Sequence, residues 1–245
     1  MNLLRWALGA VAALVIGQTS AQAVERLTIA TGLKPPFVTT EAEDGFLEEL
    51  AKEAFRRAGL DLRVIVLPAE RVLRNANDGL EDGCLLRIKG LEKTYPNLVR
   101  VPESLINSQF VGYTTGRKIP VSGWGSLAGQ AVTYITGWKI FDNNVKQAEQ
   151  IIKTRDANQM FDILRAGRAD VALYERWQGL WVARQMGLKN LAILDPPFVD
   201  LKMYMYLNKK HQHHIPKVTE ALREMKQDGS YQALYDHILA PLDSP

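Results

Sequence analysis

Apolar residues along this chain follow two alternating patterns. Stretches with apolar positions three and four apart, which predict helices with one buried face, are separated by short apolar runs that predict buried strands. The first helical stripe is Phe46, Leu47, Leu50, Ala51, Ala54 and Phe55. Its charge order agrees with a helix dipole, Glu48 and Glu49 near the start and Arg56 and Arg57 near the end, with Asp44 as a cap and Gly59 just beyond. Strands are predicted before and after it, at residues 26–31 and 61–67. Between the first strand and the helix, the prolines of Lys34-Pro35-Pro36-Phe37 forbid regular structure and predict an extended segment.

One combination of these elements occurs twice. An apolar stripe (Val72, Leu73, Ala76) stops at Gly79, Asp82 follows, and a short apolar run ends in Arg87. The same spacing returns as Met160, Phe161 and Leu164, then Gly167, Asp170 and a run ending in Glu175. Each glycine suits the left-handed residue that closes a helix. The strand–helix alternation argues for parallel sheets with helices on their faces, and such sheets bind ligands at the carboxyl ends of their strands. Two facing lobes would then set Arg87 and Glu175 on opposite walls of one cleft, an arrangement suited to a small zwitterion.

Residues 89–102 read as irregular, and residues 109–115 as a strand crossing to a second lobe that starts near Trp124. A strand at 131–135 meets the turn Thr136-Gly137-Trp138 before a helix from about Phe141, a junction whose N–H groups could face a carboxylate. Asp156 and Gln159 form a capping pair. A further helix carries Trp177, Leu180 and Trp181. A strand at 191–194 is expected to break at Asp195-Pro196-Pro197, and residues 202–207 return to the first lobe. Two closing helices follow, one opened by Pro216, the other capped by Ser230.

Residues 1–23 read as an export signal: Arg5, an apolar stretch through Ile16, then Ala21-Gln22-Ala23 as a cleavage site. The apolar stretch is too short to span a bilayer, so an exported, soluble product without membrane insertion is expected. A net charge of +3 with interspersed signs excludes a nucleic-acid footprint. One cysteine cannot form an internal disulfide, and Cys84 reads as a small buried hydrophobe.

With these elements in place, the chain resembles the bacterial extracellular solute-binding proteins of family 3, the type II periplasmic binding proteins of polar amino acid transport. The resemblance is carried by Lys34-Pro35-Pro36-Phe37, Gly45-Phe46, the Gly79/Asp82 and Gly167/Asp170 pairs, Leu127-Ala128-Gly129 and Lys226-Gln227-Asp228-Gly229-Ser230-Tyr231, in family order across almost the whole exported chain. It implies an α/β fold of two lobes, each a mixed, mostly parallel sheet flanked by helices, joined by two hinge strands. The expected division is 24–112 and 197–245 for lobe 1 and 113–196 for lobe 2.

By resemblance, Glu175 falls where an acidic residue holds a ligand ammonium, and Arg87 where a small or hydroxyl residue touches the ligand carboxylate. Asn107 and Ser108 precede the first crossing strand, where family members hydrogen-bond the ligand. Lys34 stands where an aromatic stacks. The family's threonine and arginine, due at about Leu91 and Thr94, are absent, and Arg87 could supply an equivalent fork from another strand position. The expected binding set is therefore Lys34, Phe37, Arg87, Asn107, Ser108, Trp138 and Glu175, with no cofactor and no catalytic residue.

The implied function is capture of a small polar, amino-acid-like ligand by a periplasmic monomer that docks on an inner-membrane ABC permease or a sensor. A dehydratase-like enzyme or a ligand-sensing receptor component on the same fold is the alternative. His211, His213 and His214 are chemically capable of holding zinc or copper. With no carboxylate at ligand spacing, a solvated loop is the expectation there.

Overall fold

A computed structural model describes residues 24–39 and 45–243. The export signal and the capping role of Asp44 lie outside the described residues. The chain starts with β1 (Arg26–Thr31), α1 (Phe46–Arg57), β2 (Asp61–Val66), α2 (Ala69–Asp78) and β3 (Gly83–Arg87). A short β4 (Leu98–Arg100) leads to the crossing strand β5 (Ile106–Thr114). The second lobe contributes β6 (Ala131–Ile135), α3 (Lys139–Asn144), β7 (Gln150–Thr154), α4 (Ala157–Arg165), β8 (Val171–Glu175) and α5 (Arg176–Gln185). The long strand β9 (Ala192–Asn208) returns to the first lobe, followed by α6 (Ile215–Gln227) and α7 (Ser230–Ile238).

The two halves repeat one plan. β1 lies parallel to β2 and β3, with β9 antiparallel on β3. β6 lies parallel to β7 and β8, with β5 antiparallel on β8. β5 and β9 pair antiparallel at the centre, so among the described residues one sheet runs in the order β2-β1-β3-β9-β5-β8-β6-β7, with β4 also on β9.

Strand alternation places apolar side chains on both faces of each half-sheet. Ile29 and Leu85 join the core under α1 and α6, while Ala30 and Cys84 pack with Val72 and Ala76 of α2. In the second lobe Val132 and Leu173 pack with Phe141 of α3, and Ala172 packs with Met160 and Phe161 of α4. Cys84 is fully buried, and burial pushes its thiol up to about 11, as befits a small hydrophobe.

The repeated glycine and aspartate do the same structural work in each half. Gly79 and Gly167 close α2 and α4 with φ of 81° and 67°, where a side chain would be strained. Asp82 then locks the entry of β1: its N–H donates to Thr28 O and its Oδ2 accepts from Thr28 N, both at 2.8 Å. Asp170 repeats this on Ala131, at 2.7 and 2.9 Å.

Several local expectations change. Residues 195–197 do not end a strand: β9 continues through them, and the irregularity is absorbed where Gly112 pairs with Leu194 but Phe110 with Val199. A bulge tolerates proline because no ladder N–H is needed there. The 34–37 segment turns back instead of running extended, since Lys34 O accepts from both Phe37 N (2.8 Å) and Val38 N (3.1 Å). Ser230 is the first residue of α7 rather than its cap; Gly229 occupies the cap position, and Asp228 Oδ1 accepts from Ser230 N at 2.9 Å. Residues 98–100 and 150–154, not expected as strands, form β4 and β7.

Candidate functional site

Four strands deliver candidate residues at their carboxyl ends. Lys34 follows β1, Arg87 ends β3, Trp138 follows β6 and Glu175 ends β8. Because β1 and β3 run parallel, as do β6 and β8, these ends gather on one side of each lobe.

Arg87 is aimed by a defect in its own strand. Cys84 pairs with Tyr206 and Arg87 with Tyr204, so Leu85 and Leu86 together oppose one residue of β9. Leu86 takes up the bulge with φ of 55°, a conformation that costs a branched residue on the order of 1–2 kcal/mol. Arg87 Nε and Nη2 are buried without a hydrogen-bond partner. Buried guanidinium donors without acceptors are uncommon in folded proteins, which makes this side chain a candidate ligand group.

Glu175 is 1% exposed and caps the helix it precedes, Oε2 accepting from Gln178 N at 2.9 Å. Its Oε1 is buried and unpartnered. Burial raises the carboxyl to about 7, against the opposing pull of Gln178 and, more weakly, of the Lys34 ammonium.

Lys34 is held by a two-way bridge with Val38, and the start of α1 grips the same loop, Phe46 N donating to Pro36 O and Leu47 N to Phe37 O, each at 2.9 Å. Gly45 permits that contact: a Cβ there would lie 2.7 Å from Phe37 O. Burial lowers the Lys34 ammonium to about 8; Arg87 pushes it further down and Glu175 pulls it back. The Lys34 charge thus senses groups from both lobes. With all three ionised, the trio carries one excess positive charge.

The other expected residues are placed differently. Phe37 is wholly buried in the first lobe's core, with no surface open to a ligand. Trp138 is half-buried at the head of α3, its ring 4.8 Å from that of Tyr174 and stacked on Phe141 at 5.6 Å. Two N–H groups of its turn are spent internally, Thr136 N on Thr154 O at 2.8 Å and Trp138 N on Ile135 O at 3.4 Å, and α3 has six residues. Asn107 and Ser108 point to opposite faces of β5 by the strand period. Asn107 lines a cavity of about 420 Å³ with Gln109, Arg176, Trp177 and Tyr235, between β5 and the closing helices. Ser108 is buried on the face that carries Phe110, whose ring lies 6.0 Å from Trp138.

One cross-lobe contact was not anticipated. Trp177, in the first turn of α5, leaves its own lobe and packs edge-on against Tyr235 of α7 at 5.4 Å. Nothing in the local pattern distinguishes it from a core aromatic.

No protein-family model matches the sequence. An uncharacterized protein of Shewanella oneidensis is 23% identical over 202 residues, covering 76% of this chain and 72% of its own. The substrate binding protein of an amino acid ABC transporter is 16% identical and superposes with a TM-score of 0.64, covering 88% of this chain and 99% of that one. A histidine kinase sensor domain with similarity to periplasmic binding proteins is 14% identical with a TM-score of 0.66, covering 89% and 96%. The two-lobed α/β architecture is that of the type II periplasmic binding proteins. Among the described residues, no helix is long and apolar enough to cross a membrane.

Proposed function

We propose that this chain is a periplasmic solute-binding protein that closes its two lobes on a small, polar, amino-acid-like ligand and hands it to an ABC-type permease. The observation that carries this is the pairing of unsatisfied groups across the lobes. Buried Arg87 donors on β3 and the buried Glu175 Oε1 on β8 both lack partners, and both groups act on the charge of Lys34. A ligand carboxylate would take the Arg87 fork, with Lys34 beside it, and a ligand ammonium would take Glu175 Oε1. Each contact comes from a different lobe, so only the closed form completes both, and affinity becomes coupled to closure. Trp138 would line the second-lobe wall, with Ser108 on the crossing strand β5. The likeness to the substrate binding protein of an amino acid ABC transporter supports the same ligand class and partner.

The test is a thermal-shift screen of amino acids, amines and small organic acids, with calorimetry on the hits. A ligand that binds only the folded form raises apparent stability, by about 2.7 kcal/mol at one hundred times its Kd. Arg87→Ala is expected to remove the shift for every carboxylate ligand, and Glu175→Gln only for those bearing an ammonium. An Arg87→Ala protein with unchanged affinity would overturn this account of recognition.

A second ligand class is favoured by Lys34. Its ammonium stands near Glu175 and supplies a cation in cis, which leaves Arg87 as surplus positive charge for an anion with no amine of its own. Organic acids outcompeting amino acids would select this class, and Lys34→Ala would then shift preference toward ammonium-bearing ligands. A sensor is the alternative consumer, supported by the likeness to a histidine kinase sensor domain. Glu175, held near neutral pKa, has the acidity of a general acid–base group, so incubation with the identified ligand is the check on catalysis. Unchanged ligand by NMR is expected.

A further inference from the structure

The end of the first lobe opposite the cleft gathers three imidazoles around one carboxylate. His211, His213 and His214 lie on the 3-10 turn Lys209–His214, and Glu25 sits just ahead of β1, far away in sequence. Folding therefore supplies the carboxylate that sequence spacing could not show. His214 Nε2 lies 3.0 Å from Glu25 Oε2, and the His213 and His214 rings are 3.9 Å apart. Glu25, His213 and His214 each offer a ligand atom, all within 4.8 Å of one another. Tetrahedral ligands about 2 Å from a zinc ion stand roughly 3.3 Å apart, so small side-chain rotations would close the set.

His211 adds the more telling geometry. Its Nε2 lies 2.8 Å from Asp82 Oδ1, and a carboxylate there calls for the N–H on that nitrogen. Nδ1 then presents a lone pair to Glu25 Oε1 at 3.5 Å, and this buried nitrogen has no hydrogen-bond partner. A shared cation reconciles the two, either a metal ion or a proton on Nδ1. An imidazole whose second nitrogen is tied to a carboxylate is also the usual form of a metal-ligating histidine, because the outer carboxylate fixes the ring and raises its basicity. Asp82 is itself fixed by the Thr28 backbone and by Lys210 Nζ at 2.8 Å.

We propose that Glu25, His213 and His214, with His211 Nδ1 facing the other Glu25 oxygen, form a binding site for a late first-row divalent cation such as zinc, at the amino end of the first lobe's sheet. Imidazole with one carboxylate is a donor set suited to zinc, copper and nickel. The six residues of β1, at about 3.3 Å each, separate this site from Lys34, so it is independent of what the cleft binds.

The experiment uses tag-free protein stripped with chelator and dialysed, titrated with zinc chloride by calorimetry, with metal content measured by mass spectrometry and cobalt substitution read in the visible spectrum. One zinc per chain is expected. His213→Ala and His214→Ala should each weaken binding at least ~10-fold, while His237→Ala, on the exposed face of α7, should leave it unchanged. His213 is exposed, so its variant tests the site without disturbing the core, and circular dichroism verifies the fold. Wild-type protein that takes up no stoichiometric zinc, or a His213→Ala variant with wild-type affinity, would refute the site and leave only an imidazole–carboxylate ion-pair cluster.

Discussion

Two residues of the candidate site, Lys34 and Glu175, have ionisation shifted toward their neutral forms, and the shifts have opposite consequences with pH. Glu175 rises from 4.5 to about 7, so the fold holds its proton more tightly than the unfolded chain does. Its contribution is most favourable below about pH 4.5 and is lost as pH rises through about 7, a cost on the order of 3 kcal/mol once the carboxylate is ionised. Ligand-free Glu175→Gln protein should therefore exceed the wild type in urea midpoint above pH 7, with the gap closing toward pH 4.5. Lys34 falls from 10.5 to about 8, so the cost of its charge is felt at neutral pH and fades as pH rises through about 8 and on toward 10.5. The site thus gives up stability for charge that a partner would neutralise. The strand-end positions of Arg87 and Glu175 were legible from the repeat alone. The bulge at Leu86 was not, because a left-handed leucine has no signature in composition or spacing.

At the scale of elements, the Gly-Asp repeat is a strand clamp, and each clamped unit ends in a charged residue, Arg87 on β3 and Glu175 on β8. Asp170→Ala would leave the Ala131 N–H without its acceptor and should cost about 1–3 kcal/mol in chemical denaturation, whereas Asp170→Asn keeps an oxygen in place and should lose less. Gly45→Ala should act on the cleft through the backbone, since its Cβ would meet Phe37 O at 2.7 Å and lever the Lys34 loop away from α1. Weakened ligand binding together with a lowered melting temperature is the expected result. Helices with a clear apolar face were legible to within a residue or two. β7 was not, because an edge strand with most of its residues exposed has neither an apolar run nor clean alternation. β9 was misjudged at Pro196 and Pro197 because a proline pair ordinarily ends a strand, and only the register with β5 reveals the bulge that admits it.

For the whole molecule, the two halves are joined by β5 and β9, which pair with each other and with the innermost strand of each half. A fragment of residues 113–196 cuts through β5 and removes Phe110 to Gly112, the backbone partners of Glu175 to Leu173. It should lack cooperative unfolding by circular dichroism, while a fragment of residues 105–199, which restores that pairing, should regain it. Twofold organisation was legible because the repeat samples both halves. The meeting of Glu25 with His211 and His214 was not, since no local pattern links residues at opposite ends of a chain. The position of β9 has one more consequence. Polypeptides are made from the amino end, and the segment that pairs with β3 is the last part of the sheet to be synthesised. During elongation β3 therefore keeps a bare backbone edge until nearly every residue has left the ribosome.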